Sequence, residues 1–364
     1  MAVMEATIMD SNFNIIGIVD DYQSIIWTER YSEAGDFEIY GNTSSSIAKY
    51  AKLGNYVRIP ESDRVMIIED IQIEESTNSN KILVRGRSLE SILMRRLVWK
   101  QTIFYGNVQD GIKKLLDENV INPENANRAI PNFIFLESED PAVTSCSVES
   151  AQFTGDTLYS VFQQLLEPFN LGFKIILTDE HYIVCTLYAG VDRSYSQNER
   201  PYVVFGQDFD NIISSNFTNN MTKYCNLALI AGEDEGSDRK TAVYTYEEYE
   251  PAGLDRYELF VDARDVSSKT DGGTLSPTDY QNQLITRGAE KLSENDYDWK
   301  FDAQIDTVKS YQFKKDYYLG DILQLIGLLD IKAKLRITSF IRCNDTRGYS
   351  AYPQFKIIDF NENS

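Results

Sequence analysis

The chain of 364 residues carries one histidine, nine prolines and four cysteines. A single histidine, His181, makes a His-Glu-x-x-His zinc site impossible. It also leaves Ser-His-Asp or Cys-His catalysis dependent on one side chain. His181 stands beside Tyr182 in an expected hairpin, where a structural or solvent-facing role is the expectation. The cysteines, at 146, 185, 225 and 343, are too far apart for a Cys-x-x-Cys zinc site. A disulfide framework is not expected in a chain of this length, so the thiols read as free, in a reducing compartment. Neither Gly-x-Ser-x-Gly nor Gly-x-x-x-x-Gly-Lys-Ser/Thr occurs. No run of about 18 apolar residues exists to span a bilayer. The longest candidate, 319–331, is broken by Asp321 and Asp330. The opening MAVMEATIMD lacks the basic start and apolar core of a signal peptide. Basic residues are few: 35 Lys and Arg against 56 Asp and Glu, a net charge of −21. Gripping a phosphate backbone or an anionic lipid surface needs the opposite balance. Solubility is the ordinary reading of such charge, and a surface that must not hold DNA moving past it is the sharper one.

Hydrophobic content of 42% and charged content of 25% are those of a globular protein, and the length favours two to four domains. The 23 tyrosines and 18 phenylalanines suit half-buried strands and wet contact surfaces. Residues 1–100 read as strands broken by turns, with short helices at 45–51 and 89–96. In "RVMIIEDIQIEE", Ile67, Glu69 and Ile71 are expected on one strand face and Ile68, Asp70 and Gln72 on the other. That mixed pattern suits a small twisted barrel.

Residues 101–200 read as a small α/β domain. Val108, Ile112, Leu115 and Leu116 recur at helical spacing behind Asn107, a candidate N-cap. A second helix over 157–167 is expected to be capped by Asp156 and stopped by Pro168 and Gly172, with a hairpin following around Asp179 and Glu180. Strands resume at 201–235 and again at 299–360. Between them lies an excursion with a helix announced by Ser276-Pro277, whose Tyr280, Leu284 and Leu292 mark its buried side. The expected domains are therefore 1–100, 101–200, a discontinuous 201–235 with 299–364, and an inserted 236–298.

The acidic run Glu233–Asp238 lacks EF-hand spacing and reads as a solvated loop. Carboxylates are so abundant that pairs fit for glycoside hydrolysis carry no signal. Four Asn-x-Ser/Thr matches (NFT, NMT, NDT, NTS) are chance without a signal peptide. No catalytic, cofactor-binding or metal-binding residue is assigned, and no cofactor is expected.

One phrase occurs twice. Leu53-Gly54-Asn55-Tyr56-Val57-Arg58-Ile59 aligns with Leu319-Gly320-Asp321-Ile322-Leu323-Gln324-Leu325. Apolar residues meet at Val57/Leu323 and Ile59/Leu325. Glycine followed by Asn or Asp suits a tight turn, so Gly54, Asn55, Gly320 and Asp321 are the candidate structural-turn residues. After each copy come a loop, a strand, a polar turn and a last strand. By itself this order allows either two unrelated strand entries or an internal duplication of a β module.

"IVDDYQSIIWTERYSEAGDFEIY" at 18–40, "FDNIISSNFTNNMTKYCNLALIAGE" at 209–233 and "YYLGDILQLIG" at 317–327 resemble the tail-hub (baseplate hub) family of siphophages, related to the N-terminal part of tail-associated lysins. The resemblance spans nearly the whole chain through loose motifs without a catalytic signature. It implies a β-rich α+β fold: two similar small tube-like β-barrel domains and two accessory α/β domains, assembled as a homotrimer. Three chains with two barrels each would give a pseudo-sixfold ring that closes the distal tail tube. Implied partners are other copies of the chain, a distal tail protein or tail tube, a tape-measure protein, and tip or fibre proteins. DNA would pass without specific binding, along an electronegative lumen, with no membrane insertion. The implied location is the virion tail, assembled in the host cytoplasm. The chain ends at Ser364, so the hydrolase domain of some relatives is not expected and the protein is not expected to be an enzyme. The alternatives are a polysaccharide- or cell-wall-acting enzyme, a receptor-binding tip protein, or the hub of a contractile injection particle.

Overall fold

The computed structural model describes residues 4–76, 79–206, 209, 211–236, 239–270, 273–295, 298–305, 311–327 and 332–361. The chain divides into two compact units, residues 1–215 with 302–364, and residues 216–301.

The first unit begins with strands β1 (Ala6–Met9), β2 (Ile15–Val19), β3 (Ser24–Arg30) and β4 (Asp36–Asn42), helix α1 (Ser46–Tyr50), then β5 (Tyr56–Arg58), β6 (Val65–Ser76) and β7 (Ser79–Ser88). A 3-10 helix follows at Leu89–Arg95. Next come β8 (Thr102–Asn107), α2 (Val108–Leu116), β9 (Phe133–Leu136), α3 (Pro141–Thr144), β10 (Ser147–Phe153), α4 (Leu158–Leu166), β11 (Gly172–Leu177), β12 (Ile183–Tyr188) and β13 (Val204–Gly206). β14 (Ile212–Asn220) leads into β15 (Leu227–Ala231), β16 (Thr241–Thr245), β17 (Glu258–Asp262), the short hairpin β18 (Lys269–Thr270) and β19 (Gly273–Thr274), and α5 (Pro277–Ser293). The chain closes with β20 (Asp298–Ile305), β21 (Ile322–Ile326), β22 (Lys332–Asp345) and β23 (Gly348–Asn361).

Local chemistry sets the helix starts. The Asn107 side chain accepts from Asp110 N at 3.2 Å and Ser276 Oγ accepts from Asp279 N at 3.1 Å, each satisfying a first-turn donor. α4 differs from the expectation. Its cap is Thr157, whose hydroxyl accepts from Ser160 N at 3.1 Å. The Asp156 carbonyl instead accepts from Val98 N at 2.8 Å, which holds that residue outside the helix. The 3-10 turn after α4 stops at Asn170, which takes the left-handed conformation.

β-rich α+β is the class. The expected separate closed barrels are not seen, because no sheet closes on itself among the described residues. Eleven strands form one sheet in the order β13-β21-β22-β3-β4-β7-β6-β5-β1-β2, with β23 on the far side of β22. The physical reason is the pairing of β3 with β22, Ser24 opposite Asp345 through Arg30 opposite Ser339. An edge from the start of the chain is satisfied by a strand from its end, so the two halves merge.

β6 explains why its sequence pattern was mixed. Val65 and Ile67 enter a core with Ile112, Leu115 and Leu116 of α2, Phe162 of α4 and Phe173 of β11. Met66 and Ile68 enter a second core with Ile8, Trp27, Phe37, Ile39, Val57 and Val84. Strict alternation then fails: the register against β7 slips between Ile68 and Asp70. Glu69 is the extra residue of a β-bulge, and Ile71 packs against the same core as Ile68. The expected grouping of Ile67, Glu69 and Ile71 on one face is corrected by that bulge.

In the second unit, β15 pairs antiparallel with β16 and parallel with β17. α5 lays Tyr280, Leu284 and Leu292 on Ala228, Ile230, Ala242 and Val261, the side its spacing indicated.

Candidate functional site: the repeated turn and its strand edges

The two Leu-Gly phrases have the same hydrogen bonds. Asn55 N donates to Lys52 O at 3.0 Å and Asp321 N to Tyr318 O at 3.2 Å, each closing a four-residue turn. The third residue of each turn is the glycine, with φ of +84° at Gly54 and +87° at Gly320. A type II turn needs that sign at that place. Gly54 N donates to Ile68 O, and Ile68 N to Asn55 O. In the second copy Gly320 N donates to Ile337 O, and Ile337 N to Asp321 O. β5 then pairs with β6 as β21 pairs with β22, both antiparallel. Val57 and Leu323 are both fully buried.

The likeness runs further. Directly after Ile337, the register of β22 against β23 slips between Ile337 and Ser339, so Thr338 is the counterpart of Glu69. Turn, ladder and bulge recur in one order. Unrelated strand entries have no reason to share a bulge at the matching residue, since a bulge arises from one extra residue at one place.

The two turns differ in what surrounds them. Nothing lies within 4 Å of the place a Gly54 Cβ would take. At Gly320 that place is 2.2 Å from Tyr31 Cε2. Tyr31 is a buried wedge: its hydroxyl donates to Asn170 O at 2.8 Å and accepts from Gly190 N at 3.0 Å, and its own N donates to Thr338 O at 2.9 Å. Burial pushes its phenol pKa up. The choice of Asp or Asn also has a cause. Asp321 accepts from Val191 N at 2.8 Å, Arg193 Nε at 2.7 Å and Tyr318 N at 3.0 Å. Asn55 instead donates from its amide to Tyr50 O at 3.3 Å.

Behind the second turn lies an ionic seam, buried at Glu29, Arg342, Arg64 and Glu90. Glu29 of β3 holds Arg342 of β22 and, at 3.2 Å, Lys314. Lys314 also meets Asp63 at 3.1 Å, and Asp63 meets Lys174 at 3.3 Å. Arg64 pairs with the buried Glu90. Burial alone would raise the Asp63 pKa, but Lys314, Arg64 and Lys174 outweigh it and hold the carboxyl well below its ordinary range. The Arg342 guanidinium lies over Phe340 at 4.8 Å, and Phe340 stacks on Phe313 at 3.9 Å. Neither Tyr31 nor this seam was singled out in the sequence. Apart from Arg64 and Glu90, their partners stand more than a hundred residues apart, and no local pattern encodes that.

The copies also differ at one strand edge. Beyond its bulge, β22 offers Ser339–Asp345, which β3 of the same chain occupies. Beyond its own bulge, β6 offers Asp70–Ser76 on the matching side, and no described strand pairs there. Ile73, on this stretch, is 60% exposed.

The lone histidine, His181, has a φ of +63° at the β11–β12 turn, and its ring lies 5.6 Å from that of Phe13. Of the acidic run 233–238, residues 237 and 238 lie outside the described residues. Among the described residues no group of three His, Cys, Asp or Glu is arranged to hold a metal ion, and no helix is long and apolar enough to cross a membrane.

The family model for the Siphovirus ReqiPepy6 Gp37-like protein matches residues 5–339. No curated protein matches. Among solved structures, the tail protein from Neisseria meningitidis MC58 is similar with a TM-score of 0.57 at 12% identity, covering 98% of this chain and 97% of its own. The 43 kDa tail protein of prophage MuSo2 from Shewanella oneidensis gives 0.57 at 12%, covering 97% and 98%. Prophage tail protein gp18 from Listeria monocytogenes EGD-e gives 0.52 at 13%, covering 98% and 94%. At these identities the likeness is one of fold.

Proposed function

Because the chain belongs to the Siphovirus ReqiPepy6 Gp37-like family and shares its fold with phage tail proteins, we propose that it is a structural hub of the tail, a homotrimer whose six β modules form a pseudo-sixfold ring. The observation that carries this reading is the unequal pair of strand edges. One copy of the module has its outer edge filled in cis by β3. At the other, no described strand occupies the same edge, which carries the exposed Ile73. An open edge of this kind is a template for another chain.

The occupant is named by the repeat. Ser24-Ile25-Ile26 at the start of β3 has its counterpart in Asn211-Ile212-Ile213 at the start of β14. Residues 211–217 of a neighbouring copy would therefore lie on Asp70–Ser76, as Ser24–Arg30 lies on Ser339–Asp345. Such a contact joins unlike surfaces, so it repeats from copy to copy, and a rotation of one third of a turn per copy closes it as a trimeric ring. In this reading the two modules act as tube-like barrels completed by neighbours. The ring closes the distal tail tube, meets tape-measure and tip or fibre proteins, and performs no reaction. The acid excess of −21 suits a passage that does not hold DNA.

The register makes a covalent test. Gln72 corresponds to Ile341, which faces Thr28, and Thr28 corresponds to Ser215. The double variant Gln72→Cys/Ser215→Cys should give disulfide-linked trimers on a denaturing gel, while the parent chain does not. Light scattering should give three times the chain mass of 41.7 kDa. A monomer in solution with no cross-link would overturn the reading.

A further inference from the structure

A cleft of about 540 Å³ opens in the first unit beside the second turn. Five cationic side chains line it: Arg64, Lys174, Arg193, Arg200 and Lys314. Three acids face them: Glu29, Asp63 and Asp321. Arg64 is answered by Glu90 behind the wall, and Glu29 by Arg342, so the surplus of two positive charges stands. That is a local reversal in a chain of net charge −21.

The surplus can be located. Glu29 and Asp63 together answer Arg342, Lys314 and Lys174, two carboxylates against three cations. Arg193 gives only its Nε to Asp321, at 2.7 Å, leaving its outer nitrogens without a bond to any described residue. Arg200 is exposed and has no ion pair among the described residues. The rest of the wall is largely carbon, from Ala189, Val191, Phe313 and Leu319, with the half-exposed ring of Tyr318 at the mouth.

We propose that this cleft binds a carboxylate carried on an apolar body, with Arg200, Lys174 and the outer nitrogens of Arg193 taking the charge. Forked guanidinium donors match the two oxygens of a carboxylate. Phosphate on its own would leave the carbon wall unused. The carboxylate has two sources, a free aromatic acid or an Asp or Glu beside an aromatic residue on a docked chain. This site is independent of ring formation, since it lies at the second turn and not on the open edge of β6.

Three probes separate the cases on the full chain: phthalate, the acidic aromatic peptide TYEEYEP (the sequence of residues 245–251), and inorganic phosphate. Phthalate or the peptide should raise the melting temperature at millimolar concentration. Stabilisation by phthalate points to a free acid, and stabilisation by the peptide alone points to a docked chain. Arg200→Glu reverses an exposed charge that has no ion pair among the described residues and should weaken binding by about tenfold or more without disturbing the fold. Lys174→Ala should weaken it as well, since Lys314 still holds Asp63. No stabilisation by either carboxylate would overturn the proposal. So would phosphate as the only stabilising probe, or binding unchanged in both variants.

Discussion

Replacing each turn glycine by alanine perturbs the same backbone conformation in two different surroundings. At Gly54 the added methyl group meets open space. The loss is then the left-handed strain of a non-glycine residue, about 1–2 kcal/mol, less about 0.4–1 kcal/mol gained by restricting the unfolded chain. A net cost of roughly 1 kcal/mol is expected at Gly54. At Gly320 the same strain applies, and the methyl carbon would sit 2.2 Å from Tyr31 Cε2. The Tyr31 hydroxyl is held by Asn170 and Gly190, so the ring cannot swing away without losing those bonds. Overpacking adds about 1–3 kcal/mol, and each hydrogen bond lost adds about 1 kcal/mol. Gly320→Ala should therefore cost about 3–6 kcal/mol, several times the cost of Gly54→Ala. Urea unfolding of the two variants, followed by fluorescence, measures the difference. The double variant Gly320→Ala/Tyr31→Ala should cost less than the sum of its parts, because the clash disappears with the ring. Equal losses at the two glycines, or strict additivity in the double variant, would refute the reasoning.

Two further outcomes follow from the ionic seam. Glu29→Gln leaves the buried Arg342 without its counter-charge and should cost about 3–5 kcal/mol in urea unfolding, whereas Glu29→Met with Arg342→Met should recover most of that loss. The Asp63 carboxyl is held below its ordinary range in the native state, so its contribution is fully present above the unfolded value of about 3.9 and is lost as pH falls toward the native value. The stability gap between the wild type and Asp63→Asn should be widest near neutral pH and shrink below about pH 4. A gap that does not change with pH would count against the assignment.

Local signals in the sequence were enough for most elements. Asn107 and Ser276 mark the starts of α2 and α5 because an N-cap acts over three residues. The twice-written Leu-Gly phrase pointed to the turns because a positive φ at the third position favours glycine wherever it occurs. The α4 cap was misplaced by one residue, since Asp156 and Thr157 have equal local claims and only the Val98 contact separates them. Alternation in β6 was misread past Ile68 because a bulge depends on the partner strand, and a single strand does not reveal it.

The chain by itself determined that this is a β-rich protein with a single histidine, carrying one turn-and-strand phrase twice in an acid-rich background. Those features follow from residue type and short-range spacing. Tertiary structure decided that the halves merge through β3 and β22 into an open sheet, that Tyr31 seals one turn and leaves the other open, and that cations gather in one cleft of an anionic molecule. The reason is separation: Glu29 meets Arg342 and Tyr31 meets Gly320 only after some three hundred residues have folded back on themselves, and no local preference of the chain records such a meeting.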